Sequence, residues 1–130
     1  SEKFIENGNL VMVAAENFPD PQVYYRDVSY AAADYDAIAV RFKAENANIN
    51  DNAKAKTFQI YYTTDSDDKL SESKSSSASF DECIKDGDWY VAYIVMAGNE
   101  NWKGNITLLR LDPANDAGTF TIDKFVLIEA

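Results

Sequence analysis

The chain alternates between apolar and polar residues with a period of two along most of its length. In residues 35–43, the apolar side chains of Ile38, Val40 and Phe42 fall on one side of an extended backbone, and the residues between them fall on the other. Successive side chains of a β-strand point to opposite faces, so this spacing predicts strands that bury one face. The same pattern predicts strands at residues 10–14, 23–28, 35–43, 57–63, 88–96, 105–111 and 119–128.

Turn-forming residues separate the predicted strands. Prolines at positions 19 and 21 break the chain before the second strand, and Asp86-Gly87 predicts a tight turn. The serine-rich residues 64–79 predict a long loop, alone or with a weak edge strand. Residues 31–33 allow one helical turn, but no amphipathic helix of useful length is present. Seven or eight strands without such a helix predict an antiparallel β-sandwich or barrel.

Length and charge narrow the class of protein further. A chain of 130 residues that is 46% hydrophobic fits a single domain over residues 1–130. The net charge is −10, from 22 acidic and 12 basic residues. This balance argues against nucleic acid and anionic membranes as partners, because both attract a basic face. No apolar run approaches the roughly 20 residues of a membrane span.

The residue types that are absent limit the chemistry. The chain has no histidine, which excludes Ser-His-Asp and Cys-His arrangements and histidine-bound metals. Its one cysteine, Cys83, cannot form a disulfide within the chain. Two carboxyl groups at the right separation can catalyse glycoside hydrolysis, provided that burial raises the pKa of the one that acts as the acid. Small β-sandwiches rarely form a cleft deep enough for such burial. We therefore expect a protein that is not an enzyme.

Motifs along the whole chain resemble those of a known family. The densest block is 102–127, where a tryptophan leads a strand ending in Arg-Leu-Asp-Pro and Ile-Asp opens the last strand. The earlier motifs are Asp20-Pro21, residues 35–43, residues 61–65, residues 71–75 and Trp89-Tyr90. Their order and spacing resemble β-sandwich carbohydrate-binding modules with the galactose-binding-like jelly-roll topology.

The resemblance implies an antiparallel β-jelly roll of about eight strands that binds a polysaccharide and catalyses no reaction. Such modules target an attached glycoside hydrolase to its polymer in secreted or cell-surface bacterial proteins. The resemblance implies that the ligand is a plant polysaccharide. A β-glucan or xylan is favoured, and an α-glucan is a further possibility. The chain starts with Ser1 and shows no export signal, so we expect a monomeric module cut from a larger multi-domain protein. The alternative is a structural or protein-interaction sandwich of a bacterial surface protein, with an exposed apolar patch or sheet edge.

Sugar binding needs aromatic rings for the apolar face of a pyranose and planar polar groups for its hydroxyls. Arg41, Gln59 and Tyr61 each lie opposite the apolar side of their strand. If their strands share a sheet, all three point from its outer face. They then form one sugar-contacting surface, and the alternative is an ordinary solvated face with a surface ion pair. We expect Arg110 to be held by Asp112 or by loop carbonyls, with a ligand role as the alternative.

Three further aromatic positions are candidate sugar contacts: Trp102 in a loop, Tyr25 or its neighbour Tyr24 near a strand start, and Tyr90 within a strand. We expect one of Tyr24 and Tyr25 to face inward and the other outward. For Trp102 the alternative is a cap on the end of the core. We expect Trp89 to pack in the core, which places Tyr90 on the opposite face.

The resemblance also implies a structural calcium ion near the two chain ends. Calcium takes oxygen ligands, and Glu6, Asp20 and Asp123 would supply carboxylates if the first and last strands are neighbours. Lys124 stands where the relatives have a carboxylate, and the alternative is that these acids are surface groups.

Overall fold

The computed structural model describes residues 2–6, 8–14, 21–45, 56–114 and 118–130, with the backbone alone for residues 2–6 and 14. Its strands are β1 (Glu2–Glu6), β2 (Asn9–Ala14), β3 (Val23–Ala31), β4 (Tyr35–Glu45), β5 (Thr57–Thr64), β6 (Ser75–Ser79), β7 (Ile84–Asp86), β8 (Trp89–Val95), β9 (Asn105–Asp112) and β10 (Gly118–Glu129). Three single 3-10 turns span Ala32–Asp34, Glu72–Lys74 and Phe80–Glu82.

The strands form two antiparallel sheets that pack face to face. The six-stranded sheet has the order β1-β2-β10-β4-β8-β7, and the four-stranded sheet has the order β3-β9-β5-β6. Without the outer strands β1 and β7, each sheet has four strands, and most connections cross from one sheet to the other. This is the double-sheet jelly-roll arrangement. The predicted all-β antiparallel sandwich is confirmed.

The core lies between the sheets and is rich in aromatic rings. The ring of Phe42 in β4 packs against Phe58 at 4.8 Å, Phe80 at 5.2 Å and Tyr90 at 5.4 Å between centroids. Phe58 comes from the opposite sheet, so this cluster joins the two layers. Full burial of a side chain of this size stabilises the fold by about 1.5–3 kcal/mol.

The predicted strands agree with the observed ones to within about three residues at each end. The structure adds β1 and β7, which the pattern did not predict, and β6 forms within the serine-rich loop as an edge strand. The helical turn predicted near residues 31–33 is the 3-10 turn Ala32–Asp34.

The orientation predicted for β8 is wrong. Tyr90, Ala92 and Ile94 point into the core, whereas Trp89 is partly exposed on the outer surface. Both faces of this strand are apolar, so alternation alone could not orient it. The ring of Tyr90 stacks on Phe42, and this contact selects the observed orientation.

A bulge in β3 changes which residues point outward. The pairing of β3 with β9 shifts between Arg26 and Tyr30, and Asp27 adopts a positive φ of 57°. Three residues of β3, at positions 27–29, lie opposite the single residue 107 of β9, so the strict alternation of β3 is interrupted there. Tyr25 and Tyr30 are five positions apart, and both pack against the core.

Candidate functional site

A row of polar and aromatic side chains crosses the outer surface of the four-stranded sheet. Tyr24 in β3 pairs with Arg110 in β9, Arg110 pairs with Tyr61 in β5, and Tyr61 pairs with Ser75 in β6. Cross-strand partners point to the same side of a sheet. Adjacent strands lie about 4.8 Å apart, so the backbones of the two tyrosines are about 10 Å apart. We call this outward surface of β3, β9, β5 and β6 the Arg110 face.

Arg110 lies in the middle of this face and contacts Asp112, Tyr61 and Tyr24. Its Nε and Nη2 atoms each donate a 2.9 Å hydrogen bond to one carboxylate oxygen of Asp112, two residues along the same strand. Its guanidinium lies 4.1 Å from the ring centroid of Tyr61 and 5.9 Å from that of Tyr24. Burial by itself lowers the pKa of Arg110, but the hydrogen bonds and charge of Asp112 outweigh it and raise that pKa. The guanidinium is thus a rigid, permanently charged plane.

A second network joins β5 to the 3-10 turn before β6. The Tyr61 hydroxyl donates a 2.5 Å hydrogen bond to Glu72 Oε1, and Gln59 Nε2 donates to Glu72 Oε2 at 3.0 Å. The same Gln59 nitrogen donates to Ser75 Oγ at 2.9 Å. The hydrogen bonds from Tyr61 and Gln59 hold the pKa of Glu72 below its usual value. Burial and the bond to Glu72 raise the pKa of Tyr61 to about 12. At neutral pH, Glu72 is therefore an ionised acceptor and Tyr61 a neutral donor.

The structure brings Gln59 and Tyr61 together but separates them from Arg41. Strand β4 belongs to the six-stranded sheet and β5 to the four-stranded sheet, so the hypothesis of a surface shared with Arg41 is wrong. Arg41 instead donates to Asp123 at 3.1 Å and lies 4.1 Å from the ring centroid of Trp89. Even Tyr61 is only 8% exposed, because the Arg110 guanidinium covers its ring. The Tyr61 ring therefore lies beneath the outer surface of the sheet and is not available for stacking from solvent.

The other predicted aromatic contacts are buried or packed against the core. Trp102 is 8% exposed, and its Nε1 donates to the carbonyl oxygens of Ala32 at 3.1 Å and Tyr35 at 3.0 Å. It therefore caps the end of the core, which was the alternative to a sugar contact. Tyr90 is 7% exposed within the core cluster. Tyr25 packs on Phe125 at 4.6 Å between ring centroids, and burial raises its pKa.

Sequence reasoning expected Arg110 to be held by a carboxylate or by loop carbonyls, and in the structure the carboxylate of Asp112 holds it. It expected one of Tyr24 and Tyr25 to face outward, and Tyr24 is the one that does. It missed Glu72. Glu72 lies in a 3-10 turn within a polar segment, where no periodic pattern marks it.

The proposed calcium ligands are only partly within the described residues. Asp20 lies outside them, and for Glu6 only the backbone is described. Strand β2 pairs with both β1 and β10, and the Asp123 carboxylate is engaged by Arg41. Among the described side chains, no group of three or more acidic or cysteine residues could hold a metal. Calcium stays a prediction, which a melting temperature lowered by a chelator and restored by calcium would support.

The outer surface of the six-stranded sheet is different in character. Within the described part of the chain, five large hydrophobic side chains are exposed, and four of them lie on strands of this sheet. They are Tyr93 at 54%, Val95 at 54%, Val126 at 47% and Ile84 at 68% exposure. Trp89 and Arg41 border them. We call this surface the Tyr93 face.

Comparison of the sequence with models of known protein families and with curated proteins finds no match. In the described part of the chain, no helix has the length and apolar character that a membrane span requires. A function for the domain therefore has to be inferred from the chemistry of its own surfaces.

Proposed function

We propose that this domain is a non-catalytic carbohydrate-binding module that binds a neutral plant polysaccharide on the Arg110 face. The observation that carries the proposal is that Tyr24, Arg110 and Gln59 lie on the Arg110 face with Glu72 at its edge, in the 3-10 turn before β6. Together they combine an aromatic ring with three planar polar groups. The β-jelly roll is compatible with this function, but a fold of this kind serves many functions.

Each member of the row suits a different part of a sugar. The hydroxyl groups of a pyranose act as both donors and acceptors, and the Glu72 carboxylate and the Gln59 amide offer matching partners. The half-buried Tyr24 ring supplies apolar surface for the carbon–hydrogen face of the ring. Because the network already fixes these side chains, a ligand would lose little free energy in ordering them.

Charge favours a neutral polymer over an acidic one. The Arg110 cation is already paired with Asp112, and Glu72 adds a negative charge beside it. The whole domain carries −10, which would repel a polyuronate or sulfated glycan. A β-glucan or xylan fits best, and an α-glucan is the next choice. Held in a larger protein, the module would raise the local concentration of an attached enzyme at the polymer.

Native affinity electrophoresis on a panel of soluble polysaccharides tests the proposal. We expect retardation by at least one β-glucan, xylan or α-glucan, and none by a polyuronate. The Gln59→Ala variant should migrate as if no polysaccharide were present. Its matched control is the Thr119→Ala variant, which changes a strand residue of the other sheet and should keep the retardation. A wild-type domain that no polysaccharide retards would refute the proposal.

A second candidate function, as a protein-interaction domain, is favoured by the Tyr93 face. Clusters of exposed apolar side chains mark interaction surfaces more often than isolated ones do. Sedimentation velocity over a range of concentrations separates the two functions. The carbohydrate-binding proposal expects a monomer, whereas self-association that Val126→Lys abolishes would favour an interaction domain.

A further inference from the structure

We propose that Lys74 is a positioning residue, whose buried ammonium group holds Glu72 in place for Gln59 and Tyr61. The positioning is a property of the folded domain. Its consequence for polysaccharide binding rests on the proposed function.

Lys74 is buried in a way that lysine seldom is. Its side chain is 4% exposed, and lysine is almost never fully buried unless it is paired. The ammonium group lies 3.0 Å from Asp67 Oδ1, donates to the Asp67 carbonyl at 3.2 Å, and donates to the Lys69 carbonyl. An ammonium group has three donors, and this set of oxygens accounts for all of them.

The oxygens around Lys74 belong to a turn that is anchored to the sheet. Thr64 is the last residue of β5, and its backbone N–H donates to the Asp67 carbonyl at 2.9 Å. The Asp67 N–H donates back to the Thr64 carbonyl at 3.2 Å. The ammonium group therefore connects the 3-10 turn Glu72–Lys74 to the end of the strand that carries Gln59 and Tyr61.

Two asparagines hold the same segment from its other side. Asn99 Nδ2 donates to the carbonyls of Ser73 and Ser75, both at 2.9 Å, and Asn101 Nδ2 donates to the Ser73 carbonyl at 3.0 Å. Glu72 directly precedes Ser73, and its carbonyl accepts a 2.7 Å hydrogen bond from Ser75 Oγ. Its side chain is exposed, so the position of its backbone decides whether it reaches Gln59 and Tyr61.

Lys74 is the attachment that a substitution can remove most cleanly. Without the ammonium group, the Lys69 carbonyl loses the donor that Lys74 provides, and the Asp67 carboxylate loses its ion pair. The turn can then move toward water to satisfy these groups. Glu72 would move with it and lose the two hydrogen bonds that lower its pKa.

The pKa of the Glu72 carboxyl group, measured by carbon-13 NMR titration, tests the positioning directly. In Lys74→Met we expect this pKa to rise toward the ordinary value of a glutamate. Arg110 is the cation whose charge acts on Glu72, so the loss of the Lys74 charge alone should have little effect. The matched control is Lys69→Met, which removes the same charge from an exposed side chain of the same turn and should leave the pKa unchanged.

An unchanged Glu72 pKa in a folded Lys74→Met variant would overturn the proposal. If that variant does not fold, Asp67→Asn decides instead, because it removes only the exposed partner of the ion pair. We expect Asp67→Asn to shift the Glu72 pKa in the same direction by a smaller amount, and no shift would overturn the proposal.

Polysaccharide affinity provides a second readout. Lys74→Met and Glu72→Gln should weaken binding to a similar extent, about tenfold, and the double variant should be no weaker than Glu72→Gln alone. Losses that multiply in the double variant would contradict the coupling. If the wild-type domain binds no polysaccharide, the proposed function fails, while the Glu72 pKa still decides whether Lys74 positions this residue.

Discussion

The two outer surfaces of the sandwich arise from the same strand alternation but differ in what they expose. On the Arg110 face, charged and amide groups bond to one another, and the Tyr61 ring lies beneath a guanidinium. On the Tyr93 face, valine, isoleucine and tyrosine side chains are about half exposed. The side chains of the first surface are held by hydrogen bonds to one another, whereas the second surface exposes apolar side chains beside the Arg41–Asp123 ion pair. This difference is why we propose a polysaccharide ligand for the first surface and a protein contact as the second candidate for the other.

The largest loss of stability is expected from a substitution in the core, which lies between the two sheets. Trp102→Ala removes a buried indole with its two hydrogen bonds and should destabilise the fold by about 3–5 kcal/mol. Urea unfolding measures this loss. A Trp102→Ala variant that keeps full stability but loses polysaccharide binding would mean that Trp102 contacts the sugar. Binding would then not be confined to the Arg110 face.

The ion pairs of the two faces should differ in strength. Arg110 and Asp112 have side chains that are 15% and 11% exposed, against 28% and 33% for Arg41 and Asp123. Asp112→Asn should therefore cost about 1.5–3 kcal/mol, the range for a hydrogen bond to a charged group, because it leaves a largely buried cation poorly paired. Asp123→Asn should cost less than about 1 kcal/mol. Equal losses in urea unfolding would show that the two faces are not differently organised.

Two tyrosines, one on each face, test where a polysaccharide binds. Tyr24→Ala should weaken binding about tenfold, which corresponds to about 1.4 kcal/mol. Tyr93→Ala should change it by less than about twofold, since this ring lies on the opposite sheet. Isothermal titration with a soluble polysaccharide compares them. The reverse result would move the binding surface to the Tyr93 face.

Two neighbouring tyrosines of β5 compare a hydrogen-bonded hydroxyl near the outer surface with a buried hydroxyl in the core. Tyr61→Phe loses the hydrogen bond to Glu72 and should destabilise the fold by about 1 kcal/mol. The Tyr62 hydroxyl is buried and has no hydrogen-bond partner among the described residues. Tyr62→Phe should therefore stabilise the fold by about 1 kcal/mol. Thermal unfolding measures both changes, and a destabilised Tyr62→Phe would mean that its hydroxyl does find a partner.

The smallest expected effect is a change in how the stability of the fold depends on pH. The folded domain lowers the pKa of Glu72 below its unfolded value, so the ionised carboxylate stabilises the fold above that unfolded value. This stabilisation is lost as the pH falls below about 4.3 and through the lowered pKa. Glu72→Gln should therefore lose less stability than the wild type between pH 5 and 3, with both followed by thermal unfolding. Parallel curves would show that the Glu72 network is not formed in solution.

Local patterns predicted most of the strands because these strands place apolar residues on one side and polar residues on the other. Where a strand lacks this contrast, its orientation was not predicted. Strand β8 is apolar on both sides, so the sequence could not tell which of Trp89 and Tyr90 is buried. Of the candidate sugar contacts, Gln59 and Tyr61 do share a surface with each other, but Arg41 does not. Sheet membership depends on how the chain crosses between layers, and residue spacing within one strand carries no information about it.

The sequence by itself determined the all-β character of the domain and the absence of histidine chemistry. These features follow from alternation, length and composition, which are properties of the chain. Only the tertiary structure placed Tyr24, Arg110 and Glu72 on one face and Trp102 beneath the surface. These placements join residues that are far apart in the chain, through the register of β9 with β3 and β5 and through hydrogen bonds between side chains and distant backbone or side-chain groups. Long-range packing decides such contacts, and no local pattern encodes them.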